Sequence, residues 1–231
     1  FIHGGPFANI AHGNSSIIAD KLALSAADIV VTEAGFGSDM GAEKFMHIKA
    51  ATSGKSPDCV VMNVTIRSMK LHGGAFGSRG GYRPSKEELE TENIDAVAIG
   101  AATNLDRHIR NMAGFGVPVI VSINKFASDT DGEIKALSDA AHASGAKAVT
   151  ITEVHAKGGE GGEDLAKAVV KAVQDHVAAG RPFTPLFVDD APVMEKVEAI
   201  ATRMYKAKEV HLETSAKKQL DKIISWGYGK L

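Results

Sequence analysis

Apolar and polar positions follow two rhythms along this 231-residue chain. Continuous β-branched runs occur at 27–35 (ADIVVTEAG), 58–66 (DCVVMNVTI), 117–126 (VPVIVSINKF) and 146–154 (AKAVTITEV), each leading into polar or glycine residues. Unbroken hydrophobicity suits strands covered on both faces, as in a parallel sheet. Between the runs, apolar residues recur at helical spacing. The segment 14–27 predicts a helix with Asn14 or Ser15 as N-cap. Residues 85–116 predict one long helix that opens on the capping-box pattern Ser85–Glu88, passes through AIGAA and stops at Gly114 or Gly116. Residues 131–145 end on Gly145 in the position of a C′ glycine, and 163–180 place Leu165, Val169, Ala172, Val173 and Val177 on one stripe.

Strands alternating with helices in this way predict an α/β fold with a mostly parallel, doubly wound sheet. The rhythm changes near Arg181-Pro182. The stretch RPFTPLFVDD predicts a connection with one short strand, followed by helices near 191–206 and 214–225. Residues 1–182 are therefore expected to form the α/β part, and 183–231 to begin a following, mostly helical segment. The glycine-rich stretch 73–84 predicts a surface loop.

Composition narrows the function classes. Apolar residues make up 44% and charged residues 23%, with a formal net charge of −2. That balance, with no basic run interleaved with aromatics, argues against a nucleic-acid partner. No apolar stretch reaches the roughly 18–20 residues of a membrane span, so no membrane partner is expected. Cys59 is the single cysteine and lies in an apolar run, which predicts a buried, inert thiol and a reducing, cytoplasmic location.

The residues able to do chemistry fall after the apolar runs, where open α/β sheets bind ligands. EAGFGSDMGAEKF, RSMKLHGG, NKFASDTD and EVHAKGGEGG follow the four runs in turn. Such loops point to a nucleotide or phosphate-type pocket. Asn124 in INKF reads either as an amide facing a purine edge or as a cap on the turn Asp129-Thr130. Gly158, Gly159, Gly161 and Gly162 precede a helix start, where free N–H groups favour an anion; a plain glycine turn is the other reading. The Walker pattern G-x-x-x-x-G-K-[ST] is absent from the sequence. His3, His12 and His72 sit beside glycines, where backbone can approach a ligand closely. No histidine spacing suggests a protein-held metal. Glu33, Asp39 and Glu43 form an acidic group that would face Mg²⁺, a cationic substrate edge or solvent.

Taken together, these loops resemble formate–tetrahydrofolate ligases nearly end to end. The blocks HGGPFANIAHGNSS (3–16), VVTEAGFGSDMGAEKF (30–45), NVTIRSMKLHGG (63–74), INKFASDTDGEI (123–134), AKGGEGG (156–162) and WGYGKL (226–231) occur in the family's order. Asn63, Ser68 and Met69 replace residues that are more often small or aliphatic in the family. His155 stands where the family commonly carries Trp, and the loop 75–84 is longer than usual. The resemblance implies a P-loop-NTPase-like sheet and the reaction formate + ATP + tetrahydrofolate → 10-formyltetrahydrofolate + ADP + phosphate, by way of formyl phosphate. ATP would carry Mg²⁺, and the complete enzyme would be a homo-oligomer.

The family's P-loop precedes the His-Gly-Gly-Pro-Phe block, and a further folate-contacting portion follows the Gly-Tyr-Gly block. The resemblance therefore implies an internal fragment, expected to be inactive alone and to fold poorly. Carried over by position, Asn124 and Phe126 would line the nucleotide-base side, with Gly158, Gly159, Gly161 and Gly162 shaping the adjoining loop. His3, Gly4, Gly5, His12, Glu33, Arg67 and His72 would face the substrates, although Arg67 reads equally well as an ion-pair or helix-packing residue. The alternative of a different class is a non-catalytic nucleotide- or folate-binding module.

Overall fold

The computed structural model describes residues 12–76 and 84–230. His3, Gly4, Gly5 and most of the 73–84 loop lie outside the described residues. In chain order the elements are helix α1 (Ile17–Ala26), π-helical turns Ser38–Ala42 and Phe45–Lys49 leading into α2 (Ala50–Ser53), strand β1 (Val60–Val64) and α3 (Ile66–His72). Then come α4 (Lys86–Glu90), α5 (Ile94–Gly100), a π-helical turn (Ala101–Leu105), α6 (Asp106–Ala113), β2 (Val119–Asn124) and α7 (Asp131–Ala143). After β3 (Ala148–Thr152) follow α8 (Val154–Lys157), a 3₁₀ segment (Gly158–Gly162) and α9 (Glu163–Ala178). The last helices are α10 (Val193–Ala199) and α11 (Thr214–Ile223), each continued by a π-helical turn. No helix among the described residues is long and apolar enough to cross a membrane.

The chain divides into two compact units. One comprises Pro57–Phe183 and holds the sheet. Its strands are parallel in the order β1-β2-β3, with Val60 opposite Val119 and Asn124 opposite Thr152. The chain is thus α/β with a three-stranded parallel sheet. Central β2 is buried from Val119 to Ile123, as its unbroken apolar run requires. Helices close over it through Ile66, Met69, Val97, Ile109, Met112 and Leu137, all at most 2% exposed. Two glycines allow α3 and α5 to touch: a Cβ on Gly100 would lie 2.1 Å from the Met69 carbonyl oxygen, and one on Gly73 1.8 Å from that of Ala96.

A buried ion pair ties this unit together. Lys70 Nζ lies 2.7 Å from Glu133 Oε1, with both side chains at most 1% exposed. Lys70 also donates to the Leu89 and Thr91 carbonyls (3.1 and 2.9 Å). Glu133 accepts from the Asn93 N–H (2.8 Å) and the Thr130 N–H (3.2 Å). This explains why the helix expected over 85–116 is interrupted. The carbonyls of Leu89 and Thr91 turn to the ammonium, and Asn93 starts a second helix by accepting from Ala96 N at 2.9 Å. The capping box at Ser85 and Glu88 forms as expected, AIGAA is helical, and the helix ends before Gly114. Gly145 takes the positive φ (103°) of a C′ residue.

The other unit comprises the residues up to Ser56 and those from Thr184 onward. Here three expectations are corrected. The run 27–35 forms no strand and joins no ladder among the described residues; Val31 is 89% exposed, and the run is tied by Gly35 N–H to Gly13 O at 2.9 Å. No strand forms within 184–190 either; the two prolines Pro182 and Pro185 cannot donate to a ladder. The N-cap of α1 is Ser16, accepting from Ala19 N at 3.1 Å, because Asn14 and Ser15 are engaged elsewhere.

Cys59 is half-buried, with its thiol pushed up to about 11 by burial and then by the Asp58 carboxylate. Because the thiolate is the nucleophile, alkylation by iodoacetamide at pH 8 should run roughly 100-fold slower than for an ordinary exposed thiol. Mass spectrometry of a labelling time course checks this; a rate like that of free cysteine would refute it.

Candidate functional site

Within the sheet-bearing unit, the loops after β1, β2 and β3 leave the same end of a parallel sheet, so 65–76, 125–130 and 153–162 share the carboxyl edge. The first begins as a helix because Thr65 and Ser68 form a capping box: Thr65 Oγ1 accepts from Ser68 N (3.1 Å), and Ser68 Oγ accepts from Thr65 N (3.4 Å). Ser68, unusual for the resembled family, thus has a local task. The box sets the first turn of α3, from which Arg67 projects.

Arg67 and Phe126 meet. The guanidinium carbon lies 4.1 Å from the ring centroid, within cation–π range. Arg67 Nη2 reaches Ser128 Oγ at 3.5 Å and Glu90 Oε1 at 3.6 Å, while its buried Nε has no hydrogen-bond partner. Phe126 is fixed from its backbone: its N–H donates to Asp129 Oδ2 (2.8 Å), and Asp129 N–H donates back to Phe126 O (3.0 Å). The turn is therefore closed by Asp129, with Thr130 capping α7, and Asn124 is not its cap. Asp129 is buried, which pushes its carboxyl above the usual range despite the hydrogen bond from Phe126, and its Oδ1 has no partner. Phe126 remains 37% exposed.

Asn124 closes β2 opposite Thr152, whose Oγ1 is 3.1 Å from Ser122 Oγ. The glycine loop follows directly. Glu153 N–H donates to Gly161 O (3.0 Å), and a Cβ on Gly161 would sit 2.6 Å from the Glu153 carbonyl. Gly158 has φ 60°, ψ −143°, a conformation essentially reserved for glycine, whereas Gly159 faces open space. A Cβ on Gly162 would press on Val154 at 3.1 Å. The first turn of α9 carries Glu163 and Asp164, so carboxylates already occupy the positive end of its dipole. Backbone conformation at Gly158 and close packing at Gly161 and Gly162 thus call for glycine. His72 lies exposed in the last turn of α3, and His155 is exposed on α8.

In the other unit, His12 is half-buried with Nε2 buried and unpartnered, and Glu33 is exposed in the 27–35 run. Sequence reasoning missed Lys49, which organises the 13–16 turn. Its buried ammonium lies 2.5 Å from Asp20 Oδ2 and donates to Asn14 Oδ1 at 2.6 Å. Asn14 Nδ2 donates in turn to Thr32 Oγ1 (3.1 Å), and Ser15 Oγ to Asp20 Oδ1 (3.1 Å). Three glycines cross here: a Cβ on Gly13 would lie 2.2 Å from Gly41 O, and one on Gly41 2.2 Å from Gly35 O. Of the acidic group Glu33, Asp39 and Glu43, only Glu43 has a side-chain ion pair here, while Asp39 is engaged through its backbone. Glu43 pairs with His47 Nδ1 at 3.0 Å, and the Asp39 carbonyl accepts from Tyr205 Oη at 2.6 Å.

Comparison with known proteins gives this arrangement a family. The family model for formate–tetrahydrofolate ligase matches residues 1–231. The chain belongs to the formate–tetrahydrofolate ligase family. Proteins named formate–tetrahydrofolate ligase from Granulibacter bethesdensis and Ruegeria sp. are each 46% identical over all 231 residues, which cover 38% and 39% of their own lengths. One from Roseobacter denitrificans is 47% identical, with 39% of its length covered. The chain thus spans about two fifths of these ligases. The blocks after β1, β2 and β3 that carry the ligase resemblance are the loops that gather at the sheet's carboxyl edge.

Proposed function

We propose that this chain is part of an ATP-dependent enzyme that joins formate to tetrahydrofolate, giving 10-formyltetrahydrofolate, ADP and phosphate. The family match along the whole chain carries this reading. The strand-end platform of Arg67 and Phe126 supports it chemically, since it presents an aromatic surface where open α/β sheets take ligands. Residues 1–182 supply the nucleotide-binding part of a P-loop-NTPase-like fold, and 183–231 opens the folate portion. The phosphate-gripping segment and further folate contacts belong to the parts of the relatives that this chain does not span.

In this reading Asn124 and Phe126 border a planar ring of the nucleotide, and Gly158, Gly159, Gly161 and Gly162 let the neighbouring loop pass close to it. His3, Gly4, Gly5, His12, Glu33, Arg67 and His72 serve the substrate-facing rim, where imidazole and glycine N–H groups hydrogen-bond formate and its phosphorylated form. Mg²⁺ arrives with ATP. In this reading phosphate oxygens and water supply most of its ligands, so few need come from the protein. The complete enzyme works in the cytoplasm as a homo-oligomer on small molecules.

A formate oxygen attacks the γ-phosphorus and ADP leaves. The folate amine then attacks the formyl carbon, and phosphate leaves with that formate oxygen. With ¹⁸O-formate, the complete enzyme should release phosphate carrying one ¹⁸O, read by mass spectrometry. Phosphate without label during product formation would overturn the proposed route. The non-catalytic module differs by predicting ligand binding without turnover.

A further inference from the structure

We propose that Lys49 is a positioning residue for His12: its buried ammonium fixes the 13–16 turn and thereby holds the His12 imidazole to hydrogen-bond an oxygen of formate. This rests on the ligase reading, which supplies the small carboxylate.

His12 Nε2 is shut away from solvent and has no hydrogen-bond partner. A buried ring nitrogen left unpaired is costly, and a ligand that pairs with it recovers that cost. With its proton on Nε2 the imidazole donates one hydrogen bond, which suits one oxygen of a compact anion. The backbone beside it has little freedom. Gly13 takes φ 100°, and its carbonyl accepts from Gly35 N–H at 2.9 Å. A Cβ on Gly13 would lie 2.2 Å from Gly41 O and 2.5 Å from Phe45 N. Asn14 secures the next position, with Oδ1 accepting from Lys49 Nζ at 2.6 Å and Nδ2 donating to Thr32 Oγ1 at 3.1 Å. Lys49 itself is enclosed. Its side chain is 1% exposed, its ammonium lies 2.5 Å from Asp20 Oδ2, and the Phe45 ring centroid is 5.3 Å away. An apolar side chain would fill that space without the desolvation cost of a charge. What the ammonium adds is its grip on Asn14, and so, through Gly13, on His12.

The test uses the complete enzyme with His12→Ala, Lys49→Met, Asn14→Ala and the double variant of His12→Ala with Lys49→Met, each checked for a cooperative thermal transition. KM for formate should rise about 10- to 100-fold in His12→Ala, the loss of one hydrogen bond to a charged group. In Lys49→Met and Asn14→Ala it should rise about 3- to 10-fold, with KM for MgATP and tetrahydrofolate within twofold of wild type. The double variant should match His12→Ala in KM for formate, because Lys49 acts through that ring. A purely structural Lys49 would lower the thermal midpoint and leave this preference for formate unmoved. Unchanged KM for formate in His12→Ala, unchanged KM for formate in both turn variants, equal rises for all three substrates, or a further loss in the double variant would each overturn the proposal. If Lys49→Met does not fold, Asn14→Ala decides by the same criteria, since it frees the turn and leaves the Lys49–Asp20 pair in place. Absence of ligase activity in the wild-type protein would instead count against the functional reading, so the two failures are distinct.

Discussion

Replacing Glu133 by Gln is expected to destabilise the complete enzyme by about 3–5 kcal/mol, the cost of leaving a buried charge without its counter-ion. Glu133 and Lys70 are both fully enclosed, and every donor of the ammonium has an acceptor: Glu133, the Leu89 carbonyl and the Thr91 carbonyl. An amide in place of the carboxylate keeps the shape but leaves Lys70 unneutralised. Replacing both residues by apolar side chains of similar volume should cost far less, because no charge is then stranded. The pair also sets a pH dependence. Burial alone would raise the Glu133 carboxyl, but hydrogen bonds from Lys70, Asn93 N and Thr130 N together hold it below its usual range. A carboxyl lowered by folding contributes its full stability at neutral pH and loses it as pH falls through the lowered value. Urea unfolding at pH 7 and at successively lower pH should show this acid loss in wild type and a smaller slope in Glu133→Gln. Equal stability of the two proteins at pH 7 would refute the role given to the pair.

The second large effect is expected at Gly161. Gly161→Ala should cost roughly 3 kcal/mol and reduce kcat/KM at least tenfold, whereas Gly159→Ala should be near neutral. A methyl group on Gly161 would meet the Glu153 carbonyl at 2.6 Å, a backbone group that can yield only by breaking the Glu153 N–H to Gly161 O bond. At Gly159 a Cβ meets nothing within 4 Å and the backbone needs no positive φ. Thermal denaturation and steady-state kinetics of both variants check this contrast. Equal behaviour would show that the loop tolerates rearrangement and that its glycines are not there for close approach.

Local pattern made much of the architecture legible. Three of the four β-branched runs became the parallel strands, and the caps at Ser85 and Gly145 act where their residue types suggested. What failed depends on residues far along the chain. Lys70 diverts the carbonyls of Leu89 and Thr91 and so breaks the helix expected over 85–116. Lys49 recruits Asn14, thirty-five residues away, and leaves Ser16 to cap α1. The run 27–35 has a strand's composition, but a strand needs a ladder partner, and none of the described residues supplies one.

The candidate site divides along the same line. The motif blocks located its loops, since the ends of parallel strands are marked by composition. The stacking of Arg67 on Phe126 could not be read there, because the two are joined only through the β1–β2 pairing. Lys49 carried no signal, lying among the apolar and small residues of KFMHIKAATSG.

The central claim is tested most directly by ligase activity in the complete open reading frame that contains this segment, supplied with formate, MgATP and tetrahydrofolate. Product is followed as the absorbance of the methenyl derivative after acidification. The account predicts product that requires all three substrates. A folded, complete protein that binds nucleotide or folate yet forms no product would contradict it and favour the non-catalytic binding module.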